Sequence, residues 1–299
     1  MHAEVEVPAP LHLGETLWQA RFGPLDPCLR VVDGSIWRAT RTPHGPATER
    51  LRVRGPGGPS ATLVVDAWGP GAAWLVERAP ALCGARDRPE QFRDEVAPTH
   101  PVLHNLARRH PGLRIGSTHA VFEAAMGNTL EQRVATTDAW RSWRAMVRAL
   151  GEPAPGPLGP GLWVPPAPER VARTPYDVFH RFGIERRRGD VLRRLAIVAR
   201  RLEEAVDLSH AQAYARLQAI PGIGPWTAAQ VGLMAFGDAD AVAVGDLHLP
   251  HLVSWSLAGE RRGTDQRMLE LLEPFRGHRG RVIRLLMAGA LGPMRSLAV

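Results

Sequence analysis

Apolar residues come in short, broken runs over roughly the first hundred positions and then settle into helical spacing. Up to residue 98, SIWRAT, RLRVRG and ATLVVDAW are rich in Val, Ile, Trp and Thr and are separated by TPHGPATE, GPGGPS and GPGAA. Such runs, punctuated by Gly and Pro, predict strands joined by turns. AWLVERAPALCG and QFRDEVA add one or two helices against an antiparallel sheet. From Ala97 the period lengthens. HPVLHNLARRHPG predicts a short helix closed by Pro-Gly. THAVFEAAMGNTLEQRVATTDAWRSWRAMVRALG predicts two helices with a break near Gly127–Asn128. Residues 151–168, GEPAPGPLGPGLWVPPAP, predict a loop on the surface of the helical part. Helical patterns then recur to the end, with no fixed-period repeat. The expected class is α+β, with residues 1–98 as an antiparallel sheet-and-helix domain and 99–299 as an all-helical region.

Composition sharpens this. All 37 Lys+Arg positions are arginine, since the chain holds no lysine. No side-chain amine can therefore form a Schiff base, and no G-x-x-x-x-G-K-[ST] phosphate loop exists. A formal charge of +7 and a pI near 10.8 point to a polyanionic partner. Two cysteines, Cys28 and Cys83, cannot make a four-cysteine metal or iron–sulfur site and are expected as core thiols. MHAEVEVPAP has no basic n-region or apolar h-region, and no apolar run approaches the ~18 residues of a membrane span, so a soluble intracellular protein is expected.

The sharpest local string is L-Q-A-I-P-G-I-G-P-W-T-A, residues 217–228. Pro221 ends one helix and Pro225 opens the next. Gly222 and Gly224 allow a turn with exposed amides, suited to phosphate, and Ile223 pins the two helices. Alone, G-x-G also fits an ordinary helix–turn–helix corner. The full string, in a basic helical chain, favours a hairpin that grips the DNA backbone.

This string resembles the helix–hairpin–helix of the HhH-GPD superfamily of DNA glycosylases. Asp246 follows Trp226 by twenty residues in V-G-D-L-H-L, at the spacing of that superfamily's aspartate. HPVLHNLARRHPGLR, FEAAMGNTLEQRVA, WVPPAPERVA and FGIERRR occur in the order of the bacterial 3-methyladenine DNA glycosylase II branch. The resemblance covers about residues 98–290 and is fainter before that, where the branch carries a TATA-box-binding-like α/β fold. It implies a monofunctional enzyme of base excision repair that flips and hydrolyses alkylated purines from double-stranded DNA. It also implies a cytoplasmic, nucleoid-associated bacterial monomer, no required cofactor and no membrane.

On that resemblance Asp246, within the loop 238–248, is the catalytic carboxylate; by itself an Asp before an apolar helix reads first as an N-cap, a role compatible with the other. Trp226 stands where lyase-competent members carry their lysine, and with Gln230 and Met287 is expected to line the base pocket. Pro221, Gly222, Ile223, Gly224, Thr227, Gln132 and His248 are expected at DNA. Leu130 is expected as the wedge that fills the gap behind a flipped base, or else as one more core leucine. The carbonyls of Gln218, Ile220 and Ile223 are expected to hold a monovalent cation, Na or K, bridging to phosphate. His248 and Asp246 lack a local third ligand for a metal centre.

Two arginine sets, Arg186, Arg187, Arg188, Arg193, Arg194, Arg200 and Arg201, and Arg276, Arg279, Arg281 and Arg284, read either as phosphate contacts or as solvated faces paired with Glu203 and Glu204. Glu131 replaces the branch's glycine in L-E-Q-R-V, and Gln230 and Met287 make the pocket less aromatic. Two other readings stay open: a glycosylase for oxidised or deaminated bases, and a non-catalytic hairpin protein that binds DNA.

Overall fold

The computed structural model describes residues 1–55 and 59–289. Five strands, β1 (His2–Pro8), β2 (Leu29–Val32), β3 (Ser35–Thr42), β4 (Gly45–Arg54) and β5 (Ser60–Trp68), form one antiparallel sheet in the order β1-β5-β4-β3-β2. Asp33 and Gly34, both at positive φ, make the two-residue turn between β2 and β3. Helix α1 (Ala72–Leu82) lies on one face, where Ala79 and Leu82 meet Ile36, Leu51, Leu63 and Val65.

The other face is covered by the Pro/Gly-rich stretch. Glu152–Pro153 and Trp163–Val164 pair as a small ribbon, and Leu162 and Val164 close over Trp37 and Ala39. Trp37 stacks on Trp68 at 5.2 Å, and the Trp163 N–H donates to the Pro27 carbonyl. The segment expected on the helical surface is thus a cover for the sheet, because the exposed apolar face of β3 and β5 offered it burial.

The helical region comprises α2 (Pro101–Arg109), α3 (Val121–Leu130), α4 (Thr136–Leu150), α5 (Arg186–Ile197), α6 (His210–Gln218), α7 (Pro225–Val231), α8 (Leu249–Ala258), α9 (Asp265–Leu272) and α10 (Arg279–Gly289), with shorter helical turns between. The expected break at Gly127–Asn128 does not occur. α3 runs through both residues, and the chain turns instead at 131–135. Gly127 is there for contact: a Cβ would lie 2.0 Å from the Phe22 ring. Asn128 donates to the Ala124 carbonyl at 2.8 Å and so stays within the helix.

Sheet and helices share buried polar contacts. Arg38 on β3 donates to Glu49 on β4 at 3.0 Å and pairs with Glu123 on α3 at 3.5 Å, while Thr40 also donates to Glu123. Asp26 accepts from Phe22 N, Cys28 N and Trp143 Nε1, and burial still raises its carboxyl to about 6. Arg281 on α10 forms a two-point bridge to Asp87, with Nη1 at 2.8 Å from Oδ2. Cys28 and Cys83 are free and buried. Among the described residues no helix is long and apolar enough to cross a membrane.

Candidate active site

The hairpin closes between α6 and α7. Ile223 is buried in the helical core and its N–H donates to the Ile220 carbonyl at 3.0 Å. Gly222 sits at φ +102, and a Cβ there would meet Val191 Cγ2 at 2.3 Å, so both conformation and space demand glycine. Gly224 differs. It is extended, and a Cβ would meet nothing within 4 Å. The fold itself does not exclude a side chain at Gly224; only something approaching from outside would. Pro221 is exposed, and its carbonyl accepts from Arg194 Nη1 at 3.1 Å, which lays that guanidinium along the hairpin.

The turn after α3 docks onto this hairpin. Gln132 Nε2 donates to the Gly222 carbonyl at 3.0 Å and to Thr227 Oγ1 at 2.9 Å. Thr227 is 2% exposed, so it positions Gln132 and is not itself presented to DNA. Leu130 is 0% exposed and belongs to the helical core. The wedge expectation therefore fails at Leu130, since α3 continues to this residue and turns its side chain inward. Arg133, three residues on, is exposed and held at φ +56 beside Gln132. It is the side chain that the turn presents.

α7 carries Trp226 and, one turn later, the half-buried Gln230. Trp226 Nε1 donates to Asp246 Oδ2 at 2.8 Å. Asp246 Oδ1 accepts from His248 N at 2.8 Å and Leu249 N at 2.9 Å, at the start of α8. The N-cap reading and a fixed carboxylate thus coincide: the cap orients one oxygen and the indole the other. The loop is pinned along its length. Asp238 accepts from Tyr214, Asp240 accepts from Arg279 Nε at 2.9 Å, and the Gly245 N–H reaches Asp265 at 3.1 Å.

Leu247, beside Asp246, is 76% exposed, and Met287 on α10 is 42% exposed. Leu247 went unmarked in the sequence, although an apolar residue between the Asp and the start of α8 was the available signal. His248 is half-buried with no ring hydrogen bond among the described residues, and His251 Nδ1 accepts from Gly263 N at 3.1 Å. Glu131 accepts from Trp140 Nε1 at 3.2 Å, and burial raises its carboxyl to about 7, helped by the Asp246 charge.

The arginine sets divide by burial. Arg188 is 4% exposed and holds the Leu130 carbonyl at 2.8 Å. Arg281 and Arg284 are buried, on Asp87 and the Glu15 carbonyl. Arg279 and Arg276 are paired with Asp240 and Glu273. Arg188, Arg279, Arg281 and Arg284 are structural contacts, whereas Arg276 is exposed and pairs only within its own turn. Arg186, Arg187, Arg193, Arg194, Arg200 and Arg201 remain exposed. Glu203 and Glu204 are not their partners: Glu203 accepts from Val121 N and Phe122 N, and Glu204 faces Arg216.

No family model matches the chain. It is 28% identical over 186 residues to the DNA-3-methyladenine glycosylase of Bacillus subtilis, an alignment spanning 61% of each chain. It is 28% identical over 232 residues to a probable bifunctional transcriptional activator/DNA repair enzyme AlkA of Mycobacterium tuberculosis, spanning 74% of this chain and 44% of that one. The chain thus matches less than two thirds of the length of these relatives. The 3-methyladenine DNA-glycosylase of Archaeoglobus fulgidus superposes with a TM-score of 0.82 at 20% identity, over 96% of this chain and 98% of that one. The fold is therefore that of a glycosylase of known structure, and the chain is similar in sequence to 3-methyladenine glycosylases.

Proposed function

We propose that the chain is a monofunctional DNA glycosylase that flips an alkylated purine out of double-stranded DNA and hydrolyses its N-glycosidic bond. The observation that carries this reading is Asp246, held at both oxygens by Trp226 of the hairpin's second helix and by the amides of His248 and Leu249. Cleaving the bond builds positive charge on the sugar, and an ionised carboxylate fixed there stabilises that oxocarbenium-like state. It also orients water toward the anomeric carbon. Trp226 forms one wall for the extruded base, and an alkylated cationic purine gains from the indole face.

The hairpin amides and the exposed arginines of α5 grip phosphate without reading sequence. Gln218, Ile220 and Ile223 fit a monovalent cation: the Gln218 and Ile223 carbonyls accept no N–H in the turn, whereas the Ile220 carbonyl is shared with Ile223 N. Such an ion would supply a positive charge between hairpin and phosphate. The abasic product stays unnicked, because the chain has no lysine to attack the sugar and carries Trp226 beside the carboxylate.

Single-turnover incubation with randomly methylated duplex DNA, followed by chromatography of free purines, tests this directly. Release of methylated purine without strand cleavage is the expected result. Tight binding with no base released, or release with nicking, contradicts it.

A further inference from the structure

Resting on the function just proposed, a third helix takes part in holding the catalytic loop. Ala243 and Leu249 are buried, but Gly245 and Leu247 between them are exposed, so packing does not fix the crest that carries Asp246. Hydrogen bonds do. Asp246 Oδ2 is held from α7, and Oδ1 from the start of α8. The backbone is held one residue earlier from α9, where both carboxylate oxygens of Asp265 accept the Gly245 N–H at 3.1 Å. Gly245 is at φ +89, and a Cβ there would meet nothing within 4 Å, so no neighbouring atoms confine it.

Among the described residues the Asp265 carboxylate has no partner but Gly245. Thr264, not Asp265, caps α9, its Oγ1 accepting from Arg267 N at 3.1 Å. Arg267, two residues on, pairs with Glu260 and Glu270. The entry to α9 is itself anchored on α8: Gly263 N donates to His251 Nδ1 at 3.1 Å, and a Cβ at Gly263 would meet the Pro250 carbonyl oxygen at 2.2 Å. α8 also supplies the Leu249 amide that holds Asp246 Oδ1. The backbone before Asp246 and the carboxylate itself are thus both referred to one packed pair of helices.

We propose that Asp265 is a positioning residue for the glycosylase reaction: through the Gly245 N–H it fixes the backbone on which Asp246 stands, and so sets where that carboxylate meets the sugar. It touches no substrate and exchanges no proton; what the role requires is an oxygen acceptor at this point. A displacement of about 1 Å at a reacting group can cost about a hundredfold in rate. An acid in the first turn of α9 also suits the helix dipole, and that second contribution is to stability alone. Asparagine and alanine at 265 lose the same charge, but only alanine loses the acceptor, so the pair of variants separates the two contributions.

The test compares the wild type, Asp265→Asn and Asp265→Ala in single-turnover release from randomly methylated duplex DNA, in duplex affinity and in thermal melting. It adds the NMR signal of the Trp226 indole N–H in the DNA-free protein, assigned by its loss in Trp226→Phe. That N–H is bonded to Asp246 Oδ2, so its shift reports where the carboxylate sits. Asp265→Ala is expected to move the indole signal and to lower release about ten- to a hundredfold, with affinity close to the wild type. Asp265→Asn is expected to melt like Asp265→Ala, to leave the indole signal in place and to keep release within about fivefold of the wild type. Wild-type release by Asp265→Ala, equal losses in both variants, or a loss that only follows affinity or melting overturns the assignment. If the wild type releases no methylated purine, the proposed function falls, and the indole signal alone decides on Asp265: moved in Asp265→Ala, its hold on Asp246 stands; unmoved, it is overturned.

Discussion

The Trp226 indole donates to Oδ2 of Asp246 at 2.8 Å, while the His248 and Leu249 amides hold Oδ1. The carboxylate therefore cannot rotate without losing a charge-assisted hydrogen bond, worth about 1.5–3 kcal/mol. Trp226→Phe keeps an aromatic wall and removes only that donor. Release of methylated purine is expected to fall about ten- to a hundredfold, with DNA affinity nearly unchanged. An equal loss of affinity and release would show that the indole matters only for binding.

The two hairpin glycines should separate stability from binding. Gly222→Ala forces a side chain into a left-handed backbone and against Val191, and should cost about 1–3 kcal/mol or more of folding stability. Gly224→Ala meets nothing within 4 Å inside the protein and should leave stability within about 0.5 kcal/mol. It should nevertheless weaken binding to a duplex about tenfold, the scale of one backbone–phosphate hydrogen bond. Melting curves and fluorescence anisotropy measure the two effects independently.

Leu130 and Arg133 make a second such pair. Leu130→Ala opens a cavity at a fully buried site and should lose about 2–5 kcal/mol of stability. Arg133→Ala, at an exposed turn, should leave the melting temperature close to the wild type. It should flatten the log–log salt dependence of DNA binding by about one unit. A stable Leu130→Ala protein with impaired release would return the wedge role to that leucine.

Glu203 gives a pH signature of folding. Its carboxyl, buried above the N-terminus of α3, is raised to about 7 from an ordinary value near 4.5. The folded state thus binds the more protons between these values. Its contribution to stability is fully present below about pH 4.5 and is lost as pH rises to about 7. Glu203→Gln should therefore gain stability relative to the wild type over that window and hold a constant offset above it. Chemical denaturation at pH 4.5, 5.5, 6.5 and 7.5 checks the sign, and a variant that loses ground as pH rises contradicts it.

The hairpin was legible because it rests on local chemistry, prolines that stop helices and glycines that turn, while Asp246 was legible locally only as an N-cap and as a carboxylate of the site through the resemblance. The strands β3, β4 and β5 were legible from local chemistry as well. What stayed hidden depends on partners distant in sequence. Gly127 looks like a helix breaker until Phe22 packs against it. Residues 151–168 look like free loop until Trp37 and Trp68 supply an apolar floor. Arginines are alike in a sequence, yet Arg281 faces a buried Asp87 and Arg194 lies on the hairpin. The wedge expectation at Leu130 followed from the resemblance, and the alternative, a core leucine, depends on the distant partners that bury it.

The most direct test of the account is single-turnover release of methylated purine by Asp246→Asn, with duplex affinity measured on the same preparation. Asparagine retains an acceptor for the His248 and Leu249 amides, so the loop should stay in place, while the negative charge is lost. The account predicts a fall in release of about a hundredfold or more, with DNA affinity within about threefold of the wild type. Release at the original rate would contradict it.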